Sequence, residues 1–125
     1  LNIIENTTKS FVDEFILLWK TERKGILYPE SVFENQGHSS SAAMNDLLQE
    51  IWVDAVTVCG IEMHRRCLSL AHNADFEEIN DLALKAKLEA RNLIMGRELI
   101  LKAHSLNGVE YILEMARDFN RKELI

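Results

Sequence analysis

The chain has 125 residues and a mass of 14.4 kDa, of which 47% are hydrophobic and 27% charged, with a net charge of −6. That apolar fraction fills one core and excludes disorder, while no run approaches the ~18 uninterrupted apolar residues of a membrane span. An acidic chain is also a poor partner for nucleic acid or for anionic lipid, so neither is expected.

The opening residues, Leu1-Asn2-Ile3-Ile4, come without a methionine and read as the edge of a fragment. Leu1, Ile4, Phe11, Phe15, Leu18 and Trp19 then recur at helical spacing, with Thr8 filling the gap, and predict an amphipathic helix of roughly 20 residues. Lys20, Arg23 and Lys24 are placed in its last turn, and Gly25 is its expected terminator. Tyr28-Pro29 begins a connector, followed by a short helical turn to Phe33 anchored by Val32 and Phe33. Asn35 to Ser41 is the most loop-like stretch, and its serines suit the cap of the next helix. That helix carries Leu47, Leu48, Ile51, Trp52, Ala55 and Cys59 on one face. Gly60 is expected to kink or break it before a second piece from Ile61 to about Ala71. Asp75 with Glu78 has capping-box spacing. From about Asn80 to Ala103 a proline-free run predicts a long helix, with Ala86, Ala90, Leu93, Arg97, Ile100 and Leu101 on its inner side. Asn107 with Glu110 opens a last helix striped by Val109, Ile112, Leu113 and Ala116. One proline and five glycines leave little turn chemistry for a β-rich fold. The expectation is all-α, one domain over residues 1–125, as a compact bundle of five to six helices.

Little in the chain suggests catalysis by itself. The four histidines are scattered, Cys59 and Cys67 lack metal-ligand spacing, and no glycine-rich phosphate loop is present, so no metal and no bound cofactor are expected. The cysteines read as small core residues rather than as a disulfide framework or nucleophiles. Trp19 and Trp52 lie on apolar faces and read as packing residues. No signal peptide is legible, which makes the cytoplasm the default compartment.

Met63-His64-Arg65-Arg66-Cys67 stands apart, because two adjacent arginines interrupt an apolar helix. Neighbouring helical positions point about 100° apart, so at least one guanidinium should face inward or into a cleft and must find acceptors there. Two accounts stay open on the residues alone. One is a structural ion pair with Glu62, Asp75 or Glu77; the other is a ligand clamp, since guanidinium donors suit hydroxyl and phosphate oxygens.

Gly60, Met63, Arg65-Arg66, Leu70-Ala71-His72 and Ala74-Asp75-Phe76-Glu77 together resemble the paired-arginine block near the end of the S-methyl-5-thioribose kinase family. Phe15, Leu18-Trp19, Gly25, Tyr28-Pro29 and Phe33 look like the helix and connector before that block. Glu89, Gly96-Arg97-Glu98-Leu99 and Val109-Glu110 look like the helices after it. The chain departs from the family's pattern at His64, Cys67, Ser69 and Asn73. The resemblance implies the C-terminal helical portion of the larger lobe of a protein-kinase-like fold. It also implies transfer of the ATP γ-phosphate to the 1-hydroxyl of 5-methylthioribose in methionine salvage, with Arg65 and Arg66 binding the sugar. ATP and Mg2+ would be held by upstream parts, where the family has its nucleotide-binding lobe, His-Gly-Asp catalytic loop, Asp-x-Glu metal-binding motif and tryptophan-bearing loop. The protein is expected to act as a homodimer and this chain to be inactive alone, the alternative being a non-catalytic helical interaction or dimerisation module.

Overall fold

A computed structural model of the chain describes residues 1–34, 40–68 and 74–121. Six α-helices and one 3-10 turn make up these residues, with no strand among them, so the all-α expectation holds. The chain divides into two compact units, residues 1–52 and 53–125, and the division falls within the third helix.

In the first unit, α1 spans Asn2–Thr21, close to the length read from the apolar spacing. It ends earlier than Gly25: the Glu22 amide donates to the Leu18 carbonyl at 2.8 Å, and only Lys20 of the three cations lies in the last turn. None of its residues is buried. Thr8, Val12, Phe15, Ile16 and Trp19 form its half-covered side, whereas Phe11 and Leu18 are each 47% exposed. The stripe therefore turns toward Val12 and Ile16, because aromatic packing at Phe15 and Trp19 sets the helix rotation. Phe11, Phe15 and Trp19 follow one another at 6.0 and 6.1 Å between ring centroids, and Tyr28 lies 5.4 Å from Trp19. Tyr28 occupies the left-handed region with φ 59°, an uncommon backbone for a bulky residue. The short helix after Pro29 is α2, Glu30–Glu34.

Arg23 lies beyond the end of α1, with its guanidinium carbon 5.1 Å from the Trp19 ring and 5.1 Å from the Phe33 ring. Stacking on two aromatic faces attracts the cation and strips it of water. Its Nε and Nη1 donors, like the Trp19 Nε1 donor, are buried and meet no acceptor among the described residues. Each such donor costs about 1–3 kcal/mol of desolvation.

The third helix, α3, runs unbroken from Ser40 to Leu68. Gly60 does not interrupt it. Most of the loop-like stretch, residues 35–39, lies outside the described residues, while Ser40 and Ser41 already belong to α3. Met44, Val56 and Gly60 are its buried positions, and Ala55 and Cys59 of the predicted face are exposed.

In the second unit, α4 (Ala74–Glu77) precedes α5 (Leu82–Lys102), and a 3-10 turn (Ala103–Ser105) leads to α6 (Val109–Arg121). Asp75 sits inside α4 and does not cap it. Asp81 caps α5, its Oδ1 accepting from the amides of Ala83 at 2.9 Å and Leu84 at 3.1 Å. Leu99, Ala103, Leu106, Leu113 and Val56 form the core of this unit. The last helix keeps its predicted stripe, with Leu113 buried and Val109, Ile112 and Ala116 half-buried. α5 keeps its stripe only in part: Leu93 and Ile100 are half-buried, Ala86, Ala90, Arg97 and Leu101 are exposed, and Gly96 and Leu99 are the buried residues. Both sides of α5 carry apolar side chains, so its partner, rather than its own pattern, selects the inner side.

Candidate functional site

The arginine block hangs from a close approach of α3 and α5 at Gly60 and Gly96. A Cβ added to Gly60 would sit 2.5 Å from the Gly96 carbonyl oxygen and 2.7 Å from Ile100 Cγ1. One added to Gly96 would meet His64 Nδ1 at 2.8 Å and the Gly60 carbonyl oxygen at 2.9 Å. Two glycines facing each other let the backbones touch where side chains would hold them apart. Gly60 was expected to break a helix; its lack of a side chain serves packing instead.

Polar contacts then fix the helix beyond this crossing. His64 Nδ1 lies 2.8 Å from the Gly60 carbonyl oxygen. Asn92 Nδ2, on α5, donates to the Met63 carbonyl at 2.6 Å and to Cys67 Sγ at 3.2 Å. The last turn of α3 is thus held to α5 on the side away from solvent, leaving Arg65 and Arg66 on the outside.

Both arginines are exposed, with 47% and 43% of their side chains accessible, so neither points inward. Each is paired with a carboxylate that the sequence nominated. Arg65 forks onto Glu62, Nε donating to Oε1 at 2.9 Å and to Oε2 at 3.0 Å, and Nη2 donating to Oε2 at 2.7 Å. Arg66 Nη1 donates to Asp75 Oδ2 at 2.9 Å. A carboxylate one turn earlier on the same helix, and another brought close by α4, give the guanidiniums acceptors in water, so no cleft is needed. The hydrogen bond from Arg65 holds the Glu62 carboxyl below the usual glutamate range, with partial burial working against it and the charges of Arg65 and Arg66 adding to it. The same pairing raises Arg65 further. Cys59, two turns before Arg66, is pushed up by partial burial, which the Arg66 charge offsets in part. A raised thiol is a poor nucleophile, in keeping with an inert role.

Exposed ion pairs of this kind contribute ~0–1 kcal/mol each, so they yield readily to a better acceptor. Chemically, two adjacent forks can take hydroxyl or phosphoryl oxygens by exchanging Glu62 and Asp75 for them. Residues 69–73, which complete the block in sequence, lie outside the described residues. Among the described residues no group of three or more His, Cys, Asp or Glu is placed to hold a metal ion. No described helix is long and apolar enough to cross a membrane. An open groove of about 500 Å³ between α5 and α6, floored by Ile94, Leu106, Met115 and Phe119, shares no lining residue with the arginine block.

Sequence reasoning found Arg65, Arg66, Glu62 and Asp75 but missed Asn92, the packing role of Gly96 and the stacking of Arg23, which it read only as a cation at the end of the first helix. A lone glycine amid strong helix formers was the available signal for Gly96. For Arg23 the signal was its spacing of four from Trp19, whereas nothing in the spacing singles out Asn92, whose partners lie more than twenty residues away.

Comparison with known proteins points in one direction. A methylthioribose kinase of Klebsiella pneumoniae is 30% identical over 122 residues, which cover 96% of this chain and 28% of that protein. One from Escherichia coli O45:K1 is 26% identical over 117 residues, covering 94% of this chain and 28% of the relative. One from Yersinia enterocolitica is 29% identical over 102 residues, covering 81% and 26%. No family model matches the chain, and no solved structure does. The chain spans little more than a quarter of the length of the curated relatives it matches, and along almost all of its own length it is similar to methylthioribose kinases, as the paired-arginine block implied.

Proposed function

We propose that this chain forms the C-terminal, substrate-side helical part of a kinase that transfers the ATP γ-phosphate to the 1-hydroxyl of 5-methylthioribose in methionine salvage. The likeness to methylthioribose kinases over 96% of the chain carries this reading. Arg65 and Arg66 are its substrate-binding residues. Their adjacent, exposed forks suit a sugar that offers hydroxyls but no charge, and their positive charge stabilises a phosphoryl group in transfer. ATP and Mg2+ supply the phosphoryl group and belong to other parts of the complete kinase, so this stretch alone is inactive. The proposed setting is the cytoplasm and the proposed assembly a homodimer.

The test is a chimera in which this chain replaces the matching stretch of the Klebsiella pneumoniae enzyme. Arg65→Ala in that chimera is expected to lower kcat/KM for methylthioribose more than tenfold, or ~1.4 kcal/mol. Unchanged turnover removes Arg65 from the substrate site.

A second reading, a helical interaction or dimerisation module, is favoured by α1. None of its residues is buried, and Ile3, Leu17 and Phe11 are 80%, 53% and 47% exposed. Exposed apolar surface of this kind drives association. Sedimentation of the 125-residue chain as a monomer at all concentrations would discard it.

A further inference from the structure

The donors around Arg23 are an anomaly that the paired-arginine reading does not use. A guanidinium held between two aromatic rings is placed with unusual definition, each ring centroid 5.1 Å from its carbon. Such a clamp fixes the charge and excludes water from its faces. Yet Arg23 Nε and Nη1, and Trp19 Nε1 beside them, find no acceptor among the described residues. Buried donors are nearly always paired, so three unpaired ones in a single cluster need a partner. The acidic side chains among the described residues do not supply it. Glu22 lies 3.7 Å from Lys24, and no ion pair of the described residues includes Arg23. Tyr28 adds a second sign. It stays in the left-handed region at φ 59° while its ring lies 5.4 Å from Trp19, and strained backbone of this kind gathers at ligand clamps.

We propose that the Trp19–Arg23–Phe33 cluster is an oxyanion-binding site, taking a carboxylate or phosphate group onto the Arg23 and Trp19 donors. A planar, permanently charged guanidinium recognises both groups through charge-assisted hydrogen bonds. The donors are closed to solvent, so entry requires the Phe33 ring, on the five-residue α2, to rotate away from the guanidinium. Binding exchanges one face of aromatic stacking for direct hydrogen bonds to the anion. The site lies wholly within the first unit and does not depend on the role of Arg65 and Arg66.

Trp19 itself reports occupancy. The chain has two tryptophans, and Trp52→Phe leaves Trp19 as the sole indole fluorophore. Inorganic phosphate and acetate are titrated separately at constant ionic strength, with chloride as the control. A saturable Trp19 response with a midpoint below ~10 mM for either anion, absent with chloride, is expected; the anion with the lower midpoint identifies the group preferred. Arg23→Gln should weaken it at least tenfold, and Arg23→Lys, which keeps the charge, should weaken it less. The melting temperature of the otherwise unaltered chain gives a second readout. It should rise with the same anion, and the rise should vanish in Arg23→Gln. A linear response to both anions, or an equal one in Arg23→Gln, overturns the proposal.

Discussion

Replacing Gly60 by alanine separates two views of that residue with opposite signs. If Gly60 were a neutral or helix-weakening position, alanine would stabilise α3 by about 1 kcal/mol, the difference in helix propensity. The structure dictates the reverse. The new methyl carbon would lie 2.5 Å from the Gly96 carbonyl oxygen and 2.7 Å from Ile100 Cγ1. Ile100 can rotate its side chain, but the carbonyl belongs to the backbone of α5 and moves only with the helix. Raising that 2.5 Å separation to an ordinary carbon–oxygen contact requires the helices to part by nearly an ångström, with loss of close packing around buried Val56 and Leu99. Overpacking of this kind costs ~1–3 kcal/mol, and where rigid backbone is the obstacle the upper half of that range applies. Subtracting the propensity gain leaves a net loss of about 1–2 kcal/mol. Urea unfolding of wild type and Gly60→Ala, followed by circular dichroism at the helical minimum, measures the difference. A variant as stable as wild type, or more stable, would falsify the close approach of α3 and α5.

Three further outcomes follow from individual contacts. Asn92→Leu removes the bond to the Met63 carbonyl at 2.6 Å, which keeps its partner within α3, so a loss of ~0.5–1.5 kcal/mol in the same urea assay is expected. Asp81→Ala deletes the acceptor of two first-turn amides of α5 and should cost about 1 kcal/mol, while Asp81→Asn should keep most of it. Glu62 is held below the ordinary glutamate value by Arg65, so its pairing contributes fully above pH ~4.3 and is lost as pH falls through its lower folded value. A carboxyl titration by nuclear magnetic resonance should place its midpoint beneath that of free glutamate. Arg65→Ala should return it upward, and a midpoint in wild type at or above the free value would contradict the fork geometry.

Helix placement was legible wherever the chain signals an end in local chemistry. Asp81 caps α5 with its own carboxylate, and Pro29 stops extension of the chain between α1 and α2, so both boundaries fall near where composition puts them. The amphipathic stripe of α6 was equally plain, because its apolar residues occupy one side only. The residue pair Arg65-Arg66 and its partners Glu62 and Asp75 were also readable, the first partner from helical spacing and the second from nearness in sequence.

What the sequence alone determined is an all-helical chain, most of its helix limits apart from the break expected at Gly60, and the pairing of Arg65 and Arg66 with nearby carboxylates. The tertiary structure decided which side of α5 is buried, that Gly60 sits inside an unbroken helix, that Arg65 and Arg66 face solvent, and that Arg23 stacks on two rings with two donors that meet no acceptor among the described residues. The division has a physical basis. Caps, turns and i, i+3 pairs depend on atoms a few residues apart, so spacing encodes them. Inner faces, backbone contacts and unpaired donors depend on what another segment presents. Gly60 and Gly96 are 36 positions apart in the chain, and only their meeting gives the missing side chains a purpose.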